Sequence, residues 1–333
     1  MSATGPVPGA GTALRVYAPA SIGNVSVGFD ALGLALAPID GSLLGDVVEL
    51  RAPASGETLA DWQLTCNGPF AHKLPDDPEK NIVLQCARLF EAEMRKRKLP
   101  VQHTHVRLEK NLPIGSGLGS SATSVVAALE SLNRWHGNEQ GNPLSSREIF
   151  HLMALAEGGI SGEVHLDNVA PCLYGGLRLC PPASHSEYAL PWPMRWQTVV
   201  CWPGTELVTR EARAVLPDAL PRKTAVNHGA QFAQFVYALY TGKTRLAAAS
   251  LQDLIAEPYR RKLLPGFDEA RAALTGLGAL AVGISGSGPT IFAITDDMAI
   301  AEASAQWLDR HYRKNDFGFV RICRADLGGA RSI

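Results

Sequence analysis

The stretch from Pro113 to Thr123 (PIGSGLGSSAT) constrains this chain more than any other. It follows an alternating run, His105–Glu109, that reads as a strand, and it leads to Val125, Ala128, Leu129 and Leu132, which share the spacing of one helix face. Ser120 and Ser121 stand where that helix would open. A strand must therefore pass to a helix through Pro113, Ile114, Gly115, Ser116, Gly117, Leu118, Gly119, Ser120, Ser121, Ala122 and Thr123. The three glycines let the backbone approach an anion with no Cβ in the way. The unpaired amides of the first helical turn point at the same place. Two serine hydroxyls add donors and a ligand for a cation. Phosphate binding follows from that chemistry, against the plainer reading of a structural turn that packs a helix on a sheet.

The common phosphate motifs do not fit. A P-loop needs a lysine that is missing here, and a dinucleotide fingerprint counted from Gly115 meets Ser120 where its last glycine belongs. A helix end carries only about half a unit charge, too little to balance a triphosphate. A Mg²⁺ ion with acidic and hydroxyl ligands is therefore expected beside the loop.

The rest of the chain reads as a globular enzyme. Of 333 residues, 46% are hydrophobic and 19% charged, enough for a core, and the net charge of -1 gives no basis for binding nucleic acid or an anionic membrane. The six cysteines show no metal or disulfide spacing, and the start of the chain lacks the pattern of a signal peptide. The expectation is a soluble, cytoplasmic protein. Strands and helices mix without a strict βαβ repeat, which favours two α+β domains. They are placed at 13–190 and 191–333, after a flexible tail over 1–12. Helices are expected over Asn81–Lys98, Ser146–Glu157 (stopped by Gly158-Gly159), His228–Leu239 and Arg245–Ile255.

Three further segments carry polar groups among small residues. Gly283–Thr290 (GISGSGPT) joins two apolar strands and holds more glycine and serine than a hairpin needs. Ala18–Asp30 offers Asn24 and Asp30, with a turn as the plainer reading for the asparagine. Glu157–Pro171 gathers Glu157, His165, Asp167 and Asn168 in one connection after a helix, as binding loops do.

Together these pieces, in this order, resemble the GHMP kinases. Within them, YAPASIGNVSVGFDALGLAL, HLDNVAP, TREAR and EPYRRKLLPG are similar to the homoserine kinases of bacterial type, over nearly the whole chain from about residue 14. The resemblance implies an N-terminal domain of ribosomal-protein type, a C-terminal ferredoxin-like domain, and ATP and L-homoserine in the cleft between them. It implies that Pro113–Thr123 wraps the triphosphate, that Ser120 or Ser121 holds Mg²⁺ with Glu157, and that Asn81 and Val83 lie near the base. Asn24, Asp30, His165, Asn168, Thr209, Arg213, Arg260 and Gly286 match positions around the substrate, where an arginine fork suits a carboxylate. Asp30 would orient the substrate, with a role as general base as the alternative. The family also suggests a homodimer. Ile22-Gly23 departs from its pattern of serine or alanine before Asn24. A mevalonate- or sugar-type member, or a silent nucleotide-binding module of the same fold, is the competing reading.

Overall fold

A computed structural model describes residues 11–137, 141–161, 166–182 and 186–333. The first half opens with β1 (Ala13–Pro19), β2 (Ser21–Gly23), β3 (Leu32–Pro38), β4 (Gly45–Arg51) and β5 (Gln63–Asn67). α1 (Ile82–Lys96) starts at Asn81, whose side chain accepts the Val83 amide, and buries Val83, Cys86, Ala87 and Phe90 along one face. β6 (His105–Glu109) then passes through the glycine loop into α2 (Ser120–Trp135). α2 is apolar on more than the one stripe read from sequence: Val126, Ala127 and Ser131 are buried as well, so it is a core helix.

Two expectations are corrected next. α3 (Ser146–Ser161) runs through Gly158 and Gly159 rather than stopping there. Each glycine costs a helix about 1 kcal/mol, which the packing of Ile149, Phe150, Met153 and Ala156 in the core overrides. α4 (Leu166–Tyr174) then places Asp167 and Asn168 in the first turn of a helix, not in a loop. Pro171 lies inside α4 and has no amide to give the Asp167 carbonyl. That carbonyl packs against Gly33 instead.

The second half contributes β7 (Leu177–Leu179), β8 (Tyr188–Leu190), β9 (Gln197–Trp202), α5 (Thr209–Ala214), α6 (Arg222–Tyr240), α7 (Thr244–Ala249) and α8 (Glu257–Arg260). The helix expected over Arg245–Ile255 ends early because the Asp253 carboxylate takes the amides of Ile255, Ala256 and Glu257 and starts α8. The helix expected from His228 begins a turn and a half sooner, at Arg222. α9 (Phe267–Leu277), β10 (Ala281–Ile284), β11 (Ile291–Thr295), α10 (Met298–His311), β12 (Phe319–Ala325) and β13 (Arg331–Ser332) complete the order.

These strands form two sheets, β13-β1-β4-β6-β5 and β10-β11-β9-β12-β3-β7-β8, with β2 beside β3. The halves exchange strands. β13 pairs with β1 at Val16–Ser332, and β12 pairs with β3 at Cys323–Pro38. One core lies between the first sheet and α1 to α4, and the others cover the second sheet with α6 and α7 on one side and α9 and α10 on the other. Strand exchange thus fixes how the loop after β6 faces the loop between β10 and β11. Among the described residues no helix is long and apolar enough to cross a membrane.

The contact between β3 and α4 is the tightest of these joints. A Cβ built on Gly33 would stand 1.6 Å from the Asp167 carbonyl oxygen, a backbone atom that cannot turn away. Gly33→Ala is expected to cost about 3 kcal/mol through overpacking, read as a lower denaturation midpoint at unchanged denaturant slope.

Candidate active site

The glycine loop is built to leave amides open. Gly115, Gly117 and Gly119 have φ of 64°, 81° and 68°, in the left-handed region that favours glycine. Gly119 caps α2 without any side-chain hydrogen bond to the first-turn amides. Pro113, Leu118 and Ala122 are buried and pin the loop to the core, while Ile114 is exposed at its rim. The Ser116 hydroxyl accepts the Leu118 amide within the loop.

The hydroxyls that follow divide their tasks. Ser121 Oγ donates to Glu157 Oε1 at 2.6 Å, across from α2 to α3. Burial pushes the Glu157 carboxyl above its ordinary range, opposed by the Ser121 bond and by the charge of Lys110. Ser120 Oγ turns inward to the Leu112 carbonyl at 3.2 Å. Thr123 Oγ1 also points inward, to Asp46 Oδ2 at 2.8 Å. Of the two serines, Ser121 is the one beside a carboxylate.

The β10–β11 turn lies directly on this loop. Ser285 Oγ donates to the Gly117 carbonyl at 2.6 Å, and the Thr290 amide donates to the Ser116 carbonyl at 3.1 Å. A Cβ on Gly117 would sit 2.4 Å from the Ser285 carbonyl oxygen. From the other side the Gly286 amide donates to Gly23, and the Gly286 carbonyl accepts both Asn24 Nδ2 (3.1 Å) and Arg260 Nη1 (2.9 Å).

Next to that junction the charged groups gather. Asn24, Val25, Ser26 and Asp30 all have positive φ, a strained run for side chains of these types. Asn24 Oδ1 takes the Asp30 amide at 2.9 Å and so aims the Asp30 carboxylate. Arg213 Nη2 on α5 donates to Asp30 Oδ1 at 2.9 Å. Arg260 is buried under the Phe29 ring, 5.4 Å from its centroid, with Nε on the Ala212 carbonyl. Burial and the nearby Arg213 charge hold its guanidinium below the ordinary arginine value. Asp167 is buried here as well. Burial, then the Asp30 charge, pushes its carboxyl up to about 7, opposed by the Asn24 amide and Arg213. Ser21 Oγ donates to Asn168 Oδ1 at 3.0 Å, and a Cβ on Gly119 would stand 3.1 Å from that same oxygen. Asn168 therefore spans the glycine loop and the charged cluster. Thr209 Oγ1 lies 3.5 Å from Ser287 Oγ at the exposed edge.

Comparison with known proteins decides the family. Residues 81–176 match the GHMP kinases N terminal domain, and residues 235–314 match GHMP kinases C terminal. The crystal structure of homoserine kinase from Cytophaga hutchinsonii is similar at 32% identity and TM-score 0.85, covering 96% of this chain and 97% of that one. The chain belongs to the GHMP kinase family. A putative homoserine kinase from Listeria monocytogenes matches at 24% identity and TM-score 0.68, over 96% of this chain and 99% of the other. The L. major mevalonate kinase, solved with R-mevalonate, has the same fold at 15% identity and TM-score 0.68, over 97% and 99%.

This chain thus has the two-domain, mixed α/β GHMP kinase fold and is an ATP-dependent small-molecule phosphotransferase. GHMP kinases use ATP and Mg²⁺, and the donor set fits both. Among the described residues no group of three His, Cys, Asp or Glu could hold a metal. Ser121 and Glu157 instead offer a hydroxyl and a carboxylate, hard oxygens of the kind that hold a Mg²⁺ shared with phosphates and water. The uncapped end of α2 offers amides to the phosphates themselves.

The sequence-selected residues do not all meet. Asn24, Asp30, Arg213, Arg260, Gly286, Asn168 and the glycine loop are joined by one run of contacts. Asn81 is spent as the cap of α1, with Nδ2 on Cys66 Sγ at 3.5 Å, and Val83 is buried in the core. His165 lies outside the described residues. Gly23 now has a physical reason: a Cβ there would stand 2.8 Å from Asp167 Oδ2 and 2.9 Å from Asn168 Nδ2. Sequence reasoning missed Asp46 and Lys110 under the loop and gave Asp167 no role. Nothing local marks an aspartate in a strand, or a lysine just past one, as a partner of a loop.

Gly117 carries the contact between the two glycine loops. Gly117→Ala is expected to weaken Mg²⁺-nucleotide binding at least about tenfold by prising Ser285 away. Nucleotide titration calorimetry, with a thermal melt to show a retained fold, checks this.

Proposed function

We propose that this chain transfers the γ-phosphoryl group of ATP to the side-chain hydroxyl of L-homoserine, giving O-phospho-L-homoserine, as the first half of threonine formation would need. The observation that carries the reading is the Asp30–Arg213 pair with Arg260 beside it. One anionic and two cationic groups at one end of a kinase cleft match the ammonium and carboxylate of a small amino acid. The 32% identity to a homoserine kinase supports the same reading.

In the division of labour, residues 13–190 carry the nucleotide side and 191–333 supply the arginines. The amides of Gly115 to Ser121, apart from the Leu118 amide taken by Ser116, bind phosphate oxygens. Ser121 and Glu157 would hold Mg²⁺, which neutralises phosphate charge when bound. Arg213 and Arg260 bind the substrate carboxylate, Arg260 through Nη2, since its Nε and Nη1 already meet the Ala212 and Gly286 carbonyls. Asp30, with Asp167 behind it, binds the ammonium. Asn24 fixes Asp30, Asn168 lines the join between acceptor and phosphates, and Thr209 closes the edge.

In the transfer the hydroxyl oxygen forms a bond to the γ-phosphorus, the bond to the β–γ bridging oxygen breaks, and the hydroxyl proton leaves with the phosphoryl oxygens. Such a loose transition state asks for positioning and charge balance more than for a strong base. Asp30 therefore orients the substrate. If Asp30→Asn kept L-homoserine affinity and lost turnover, Asp30 would be a base instead.

Mg²⁺-ATP turnover against L-homoserine, mevalonate and galactose in parallel tests the reading. ADP release with L-homoserine alone is expected, and none above background would end it.

The Asp167 carboxyl adds a pH dependence. Below about 7 it is protonated in the free protein, because burial and Asp30 disfavour its charge while the Asn24 amide and Arg213 only partly compensate. A bound ammonium favours the charged form. L-homoserine binding should therefore release a proton and tighten as pH rises toward about 7. Calorimetry in buffers of different ionisation enthalpy reads the proton, and Asp167→Asn should abolish the release.

A further inference from the structure

Asp46 and Lys110 form an ion pair with side chains only 0% and 3% exposed. Lys110 Nζ spends its three protons on Asp46 Oδ2 at 2.5 Å, the Ser120 carbonyl at 2.7 Å and Ser124 Oγ at 3.0 Å. Asp46 Oδ1 takes the amides of Asn111 (2.9 Å) and Leu112 (3.1 Å). Its Oδ2 takes Lys110, Thr123 Oγ1 (2.8 Å) and Ser124 Oγ (2.7 Å). Every donor of the lysine is engaged, so the pair cannot itself hold a ligand.

The partners share a location. Asn111 and Leu112 stand just before the glycine loop, and Ser120, Thr123 and Ser124 lie in the first turns of α2, past its last glycine. Ser120 Oγ, bonded to the Leu112 carbonyl, joins the same two ends directly. One ion pair thus grips both ends of a loop whose middle is glycine-rich. Left ungripped, three glycines would give the loop many openings, and binding would have to select one of them.

Stability alone is a poor reason for such a pair, since a packed apolar pair in its place is commonly as stable or more so. A fixed loop is a better one, because amides aimed in advance at developing charge need no rearrangement when the reaction occurs.

We propose that Asp46 and Lys110 are positioning residues that hold the glycine loop at the opening the nucleotide phosphates require, acting through Asn111, Leu112 and Ser120 rather than touching the substrate. The inference rests on reading this loop as the phosphate site. It assigns to a buried pair on β4 and at the end of β6 a share of nucleotide affinity.

The test uses the full chain with Asp46→Asn and Lys110→Met combined, a near-isosteric and neutral replacement. Mg²⁺-ADP affinity is measured by calorimetry, with KM for both substrates and a thermal melt. The expected result is a melting temperature close to wild type, Mg²⁺-ADP binding weakened at least about tenfold, and an L-homoserine KM within about twofold. Ser124→Ala, which removes one hydroxyl shared by both charges and leaves the pair, should weaken Mg²⁺-ADP in the same direction by about two- to fivefold. It decides the matter alone if the double variant does not fold. Mg²⁺-ADP binding within twofold of wild type in the folded variants would overturn the proposal, leaving the pair a purely structural role. A wild-type chain that binds Mg²⁺-ADP and does not phosphorylate L-homoserine would remove the acceptor assignment and keep this inference. A wild-type chain that fails to bind Mg²⁺-ADP would remove the inference with the nucleotide reading.

Discussion

Lys110 and Asp46 lie under the glycine loop as a buried ion pair, and the hold on both ends of that loop depends on them. A charge removed from water is costly unless it is paired and its hydrogen bonds are filled, and here both conditions are met. The consequence runs outward. With both ends of the loop held, the end of α2 stays open, Ser121 faces Glu157, and the Gly117 carbonyl is offered to Ser285. α2 is a core helix, so the framework behind the loop is stiff.

The proposed acceptor side uses the opposite strategy. Its two charged partners, Asp30 and Arg213, are bonded to each other rather than buried and saturated. Both side chains remain about a quarter to a third exposed, so the pair is one that a substrate can open. In the proposed reading a zwitterion replaces each partner with its own opposite charge, and no charge is left uncompensated at any stage. The strained run at Asn24 to Ser26 serves that end, because it lets Asn24 reach both the Asp30 amide and the Gly286 carbonyl. The two strategies meet at Gly286, where Arg260 and Asn24 touch the loop that rests on Gly117.

Much of this was legible in the sequence where the physics is local. Three glycines and two serines between a strand and a helix already mean open amides, and the alternation of His105–Glu109 gave that strand to the residue. What was not legible depends on distance or on packing. Nothing in the sequence around Lys110 points to Asp46, and only β4 lying beside β6 brings the two together. Gly158 and Gly159 read as a stop, yet core packing carries α3 through them. Asp167 and Asn168 read as loop residues because they follow a helix among glycines and polar groups, whereas Gly33 makes room for the helix that holds them. Asn81 shows a second use of one residue: a motif match placed it near the base, and its side chain also caps α1.

The central claim is that a paired anion and cation select a zwitterion. Its most direct measurement is kcat/KM for L-homoserine beside 4-hydroxybutyrate, which lacks the ammonium, and 3-aminopropan-1-ol, which lacks the carboxylate. Each analogue leaves one charged group of the site unanswered, so each should lose about a thousandfold or more. Turnover of either analogue within tenfold of L-homoserine would contradict the account.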